Sequence, residues 1–182
     1  METMIATSLF IIIVMAGMGA LINANRLHQK SQDMRSVLDS LSFAMEEISR
    51  NLRVGYNYHC IDDGDLTKTD AHSCASGTGI TFQSTTQGGG QWTYFIGSDG
   101  KIYKSVDGGT TFYQLTSEEI VINDISGFSV LGAEPPEANG SGDLQQPFVT
   151  IRLVGSITYK KDSAEEVVTP FSLQTSASPR LV

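Results

Sequence analysis

The residues best equipped for chemistry lie in one polar stretch, His59-Cys60-Ile61-Asp62-Asp63-Gly64-Asp65-Leu66-Thr67-Lys68-Thr69-Asp70-Ala71-His72-Ser73-Cys74. Cys60 and Cys74 are the only cysteines, and a histidine stands beside each. Two readings are open. Oxidised, the pair closes a polar loop, which in the chain-entropy account is worth ~3 kcal/mol, and an exported domain would be expected to pair them. Reduced, the thiolates could join His59 and His72 around a metal, although the spacing fits no standard zinc pattern. Asp63, Asp65 and Asp70 are oxygen donors of the calcium type, but Lys68 stands where such a loop turns on glycine and no glutamate closes it. The expectation is a disulfide-closed, solvated acidic loop with no metal and no other cofactor.

Catalysis finds little purchase elsewhere. The three histidines, His28, His59 and His72, are divided between the first stretch of the chain and the polar loop. Spacing alone yields no Ser-His-Asp set and no carboxylate pair, so the chain is not expected to be an enzyme. A phosphate-binding GxxxxGK[ST] loop is also missing, and any ATP-driven step would belong to a partner. One further motif stands out. Ser105 to Phe112, SVDGGTTF, resembles the Asp-box turn, in which Ser105, Asp107, Gly109 and Thr111 would organise the backbone and an aromatic packs beneath. That motif recurs in series in sialidase propellers. A single copy here argues for a turn with Asp107 at its centre and against that enzyme class.

The element that must carry these groups is a long helix, expected from Met1 to about Asn57. From Met4 to Ile22 there is no charge over roughly 19 residues, which at about 1.5 Å each reach the thickness of a bilayer's hydrocarbon. Glu2 stands at its mouth. A carboxylate within hydrocarbon costs ~2.5 kcal/mol or more near the centre, less at the interface, and therefore seeks a cation. Gly17 and Gly19 weaken the helix by about 1 kcal/mol each relative to alanine and suit flexibility or close packing against other helices. Beyond Arg26 an apolar stripe runs through Leu27, Met34, Leu38, Leu41, Met45, Ile48 and Leu52, widened by Val37 and Ala44. Its spacing is helical and predicts one face buried on a sheet, with a short coiled coil as the alternative.

The rest of the chain changes character near Gly55. Eighteen glycines and a formal charge of −8, from 12 basic and 20 acidic residues, describe a turn-rich acidic domain without an electrostatic grip on nucleic acid. Alternating β-branched and aromatic residues predict antiparallel strands over 78–83, 91–97, 101–105, 110–116, 118–131, 148–160 and 165–175. Gly97 to Lys101 reads as a tight hairpin with Asp-Gly at its apex, and SGDLQQP, 141–147, closes a long loop. Trp92, Tyr94 and Phe95 share one strand, so at least one aromatic faces away from the core. The expected class is α+β, divided into a transmembrane half-helix, 1–25, an amphipathic half-helix, 26–57, and a β-rich head, 58–182.

The stretch ETMIATSLFIIIVMAGMGALINANR resembles the N-terminal helix of type IV pilins and of the pseudopilins of type II secretion. In that family a basic leader ends in glycine, cleavage exposes a phenylalanine, and a glutamate soon follows at the start of an apolar helix. Glu2 matches that glutamate. Met1 alone precedes it, so the leader, the glycine and the phenylalanine lack counterparts, and a truncated or misassigned start is expected. LDSLSFAMEEISRNLR, PFVTIRLVGSITYKK and VVTPFSLQTSASPR are similar to segments of the J-type minor pseudopilins and related minor pilins. The resemblance implies a pilin-like fold, an inner-membrane, single-pass anchor and a head in the periplasm or outside the cell. It also implies assembly through Glu2 with the N-terminal amine of a neighbouring subunit, and partnership with other pilin or pseudopilin subunits, the prepilin peptidase and an assembly ATPase with its platform. The implied function is a structural, minor subunit at the tip of a type II secretion pseudopilus, or of a type IV pilus serving adhesion, motility or DNA uptake. The alternative is an anchored periplasmic or extracellular β domain that binds a ligand and does not polymerise.

Overall fold

The computed structural model describes residues 2–85, 90–135, 145–161 and 165–179. Most of the expected 141–147 loop, the C-terminal Arg180 and Met1 lie outside them. Helix α1 runs Glu2–Arg53. It is followed by β1 (Gly55–Ile61), β2 (Cys74–Gly77), β3 (Gly79–Ser84), β4 (Gln91–Ile96), β5 (Ile102–Ser105), β6 (Tyr113–Gln114), β7 (Ile120–Ile122), β8 (Gly127–Leu131), β9 (Phe148–Lys161) and β10 (Glu165–Ala177). The class is α+β. The chain divides into two compact units, Met1–Leu38 and Asp39–Val182, with the boundary inside the helix.

In the second unit the strands form two antiparallel sheets among the described residues. One has the order β1-β3-β4-β5-β6, and the other β10-β9-β8-β2 with β7 also on β9. The last turns of α1 bury Leu41, Ala44, Met45, Ile48 and Leu52 in the core with Phe82 and Tyr94 of the first sheet and Val149, Ile151 and Leu153 of the second. The 3.6-residue period puts these helix positions on one face, and each of the larger side chains, Leu41, Met45, Ile48 and Leu52, contributes about 1.5–3 kcal/mol by its burial. Polar bonds fix the docking. Asn51 Nδ2 donates to the Tyr94 hydroxyl at 2.8 Å, and Lys104 Nζ reaches Glu47 Oε1 at 2.5 Å. Earlier members of the stripe behave differently, with Leu27 69% and Leu38 37% exposed.

The helix stops at Arg53, four residues before the expected Asn57, for local reasons. Gly55 and Tyr56 already pair with Ser84 and Gln83 of β3, and Asn57 has φ 57°, incompatible with a right-handed helix. A Cβ on Gly55 would stand 2.3 Å from the Phe82 ring, so only glycine lets the chain turn there. The Tyr58 hydroxyl lies 2.5 Å from the Leu52 carbonyl, which the helix end leaves free, and 2.6 Å from that of Gly55, and its one proton serves either.

The strand expected over 118–131 is two, β7 and β8. Between them Ser126 N donates to Asn123 O, and the Ser126 hydroxyl bonds Val154 O at 2.8 Å and accepts from Val154 N at 2.7 Å. That hydroxyl replaces a backbone rung and lets the chain step aside. In β4, Trp92 and Tyr94 are buried, while Phe95 on the opposite face stacks on Tyr103 at 5.3 Å and meets Phe112 edge-on at 5.1 Å.

Candidate functional site

Residues Glu2–His28 form a 27-residue helical segment long and apolar enough to cross a membrane, and none of its apolar window is buried within the chain. Leu9, Phe10, Ile11, Ile12 and Ile13 are all more than half exposed. The few polar groups in the run are satisfied internally. Thr7 Oγ1 donates back to Thr3 O at 3.0 Å or Met4 O at 3.1 Å, and Ser8 Oγ to Ile5 O at 2.9 Å. A hydrocarbon environment demands that economy, because an unpaired donor there costs several kcal/mol. At Gly17 and Gly19 a Cβ would meet nothing within 4 Å, so no contact inside the chain calls for glycine at either position. Glu2 occupies the first turn, where the positive end of the helix dipole favours a carboxylate. No cation lies within ion-pair distance of it among the described residues.

Cys60 and Cys74 form a disulfide, with Cα atoms 5.8 Å apart. Cys60 is in β1 of the first sheet and Cys74 in β2 of the second, so the bond staples the two sheets together. Oxidised sulfurs are no longer thiolates, and the two-Cys, two-His metal set therefore loses half its ligands. Among the described residues no three His, Cys, Asp or Glu side chains gather around a common point for a metal.

The loop between the cysteines folds over the outer face of the first sheet. Thr81 Oγ1 donates to Lys68 O at 3.0 Å, and Gln91 Nε2 reaches Leu66 O and Lys68 O at 3.4 and 3.1 Å. Cys60 N donates to His72 O, and His72 N to Tyr58 O. Its acids are occupied locally. Asp63 accepts from Lys68 and from the Asp65 amide, and Asp65 from the amide and hydroxyl of Thr67. These bonds hold both carboxyls below the ordinary range, led by Lys68 for Asp63 and by the Thr67 amide for Asp65. The Asp70 carbonyl takes the Nδ1 proton of buried His59 at 2.8 Å, and His72 Nε2 pairs with Asp62 at 3.2 Å.

Asp107 organises its turn through one oxygen. Its Oδ1 accepts from Thr111 N at 2.9 Å, Ser105 Oγ at 2.7 Å and Thr110 N at 3.1 Å, while Ser105 Oγ takes Gly109 N at 3.0 Å. The Thr111 amide and then the Ser105 hydroxyl hold this carboxyl far below its ordinary value. Gly108 and Gly109 have φ of 71° and 84°, which explains the glycine pair.

Two anchoring residues carried no local sequence signal. Glu134 receives Ser73 N at 2.6 Å and Ser73 Oγ at 2.5 Å, tying the loop's end to the segment after β8. Burial pushes its carboxyl up, but the Ser73 hydroxyl and amide outweigh burial and leave it below the usual range. Lys101 is buried, and its Nζ donates to Glu118 O and Ile120 O, both at 2.6 Å, and to Ser117 O at 3.4 Å. The ammonium thus stands where a structural cation would, holding the approach to β7.

The class defined by these features is an α+β protein with one N-terminal helix fit to cross a membrane and a disulfide-stapled, two-sheet head. Comparison with protein-family models, curated proteins and solved structures gave no match.

Proposed function

We propose that the chain is a non-catalytic, pilin-like subunit, anchored in the inner membrane by its N-terminal helix and assembling with other such subunits through it. The carrying observation is Glu2, an acid at the mouth of an apolar helix that buries none of its apolar surface within the chain. A simple anchor gains from a carboxylate at that place only the small helix-dipole contribution, whereas an assembling helix also gains a register contact with a neighbour's amine. The J-type resemblance makes it a minor subunit of a type II secretion pseudopilus or a related pilus, with the head in the periplasm or outside the cell. The disulfide supports an exported head, since such bonds persist in oxidising compartments.

The test is in-membrane cross-linking of wild type and Glu2→Ala, each expressed behind a prepilin-type leader in a host carrying the prepilin peptidase and partner subunits. Multi-subunit adducts are expected from wild type and should be lost from Glu2→Ala, with membrane insertion unchanged. Equal adducts in both, or none in either, would leave an anchored β domain that binds a ligand without polymerising.

A further inference from the structure

β10 is a 13-residue strand at the end of its sheet, and among the described residues it pairs only with β9. Val154 of β9 turns its N–H and C=O toward Ser126 and Asn123, on the side of β7 and β8. Because antiparallel strands alternate, the odd positions of β9 face β10, and through the pairs Gly155–Phe171 and Leu153–Leu173 so do the odd positions of β10. The even positions, Ser172, Gln174 and Ser176, therefore point their N–H and C=O groups away from the sheet. Pro170 has the same parity and guards the edge at its own place, since it has no N–H to offer. From Phe171 to Ala177 no proline and no charge follows. Natural sheets seldom leave such an edge unguarded, because it is a template for another strand.

Beside this edge lies a groove of about 660 Å³ lined by Met45, Glu46, Ser49, Arg50, Arg53, Val54 and Thr175. Arg50 and Arg53 make no ion pair among the described residues, whereas Lys104 and Lys68 each hold a carboxylate. Arg50 and Arg53 are exposed and outnumber Glu46, so this groove carries a net positive charge in a protein of charge −8 and is complementary to a carboxylate from outside. Thr175 belongs to both features. A strand added about 4.8 Å beyond β10 would set its inward side chains over the groove.

We infer that the Phe171–Ala177 edge and the Arg50–Arg53 groove form one docking site for an extended acidic peptide segment of a partner protein. The segment adds as a further strand, its backbone bonding Ser172, Gln174 and Ser176 and one acidic side chain reaching the arginines. The site uses no residue of the membrane-crossing segment Glu2–His28 and is independent of the assembly reading.

The test is selection from a display library of random short peptides on full-length, disulfide-intact protein in detergent, followed by affinity measurement of the enriched peptides. Enrichment of alternating β-branched residues with Asp or Glu at one fixed position is expected. Affinity should fall about tenfold or more when Arg50 and Arg53 are both changed to Gln, and should weaken with salt. Gln174→Pro, which repeats the device of Pro170 at the same parity, should abolish binding. If that variant does not fold, hydrogen exchange on wild type decides, because bound peptide must protect the Ser172, Gln174 and Ser176 amides. No enrichment, enrichment without an acid, or affinity indifferent to both changes would overturn the inference. Protection of the same amides that grows with protein concentration alone would assign the edge to a second copy of the chain and overturn it too.

Discussion

Replacing both Cys60 and Cys74 by alanine removes the staple between β1 and β2 while leaving the loop's hydrogen bonds to choose their own fate. The cysteines are 14 residues apart, and the chain-entropy relation gives ~3 kcal/mol for closing a loop of that length. The second unit has roughly 140 residues, for which an unfolding entropy of about 2.1 cal/mol/K per residue makes the whole ~300 cal/mol/K. The expected fall in Tm is therefore about 10 °C. Trp92 is the only tryptophan and is buried in β4, so its fluorescence reports the head alone in full-length protein held in detergent. The loop adds little compensation, since its bonds to Lys68 O, Leu66 O and Glu134 persist in the unbridged chain and belong equally to both proteins. Reductant should reproduce the fall in wild type and leave the double variant unchanged. A drop of under about 3 °C would show that the loop is already closed by its hydrogen bonds in the unfolded ensemble, and the entropic argument would fail.

Lys101→Met keeps the stem's packing but strips an ammonium from the carbonyls of Ser117, Glu118 and Ile120, and should cost about 2–3 kcal/mol, read as a lower denaturant midpoint at constant slope. An unchanged midpoint would mean that water serves those carbonyls equally well. For Glu134 the folded carboxyl lies below its ordinary value, so its contribution is complete above the unfolded pKa and fades as pH falls through the folded one. Wild type should accordingly lose Tm as pH falls below about 4.5 more steeply than Glu134→Gln, and parallel curves would remove the Ser73 contact from the account.

The readable parts of this fold were those whose periodicity is local. Leu41, Ala44, Met45, Ile48 and Leu52 announce a buried helical face at 3.6-residue spacing, and QWTYFI announces a strand by alternation. β1 was hidden for a physical reason. Its residues continue straight from a strongly helical run, and the turn into the strand depends on Gly55 meeting Phe82 and on Asn57 adopting a positive φ, neither of which leaves a local pattern. β2 is four residues, CASG, with no alternation at all, and it is held by the disulfide and by β8. Glu134 with Ser73, and Lys101 with the 117–120 carbonyls, are contacts across long sequence gaps between polar residues common on any surface. The Asp107 turn was legible because its donors lie within four residues of the acceptor.

On the assembly reading, the two sheets matter through the path that a pull on the helix would follow. Arg53, Val54 and Gly55 join α1 to β1 with no intervening loop, so tension in the helix enters the first sheet directly. The second sheet, which has β10 at its end, follows β1 only after the long polar loop. Without Cys60–Cys74 that loop would be the slack element between them, and its Asp-rich sequence offers no apolar core to resist extension. With the bond in place, the covalent route from helix to second sheet shortens to β1, one disulfide and β2. An anchored domain that merely binds a ligand experiences no such load, whereas a subunit drawn from the membrane into a filament would experience it at every step. On the assembly reading the staple adds a covalent route from the first strand after the helix to the second sheet, beside the packing of the helix on both sheets.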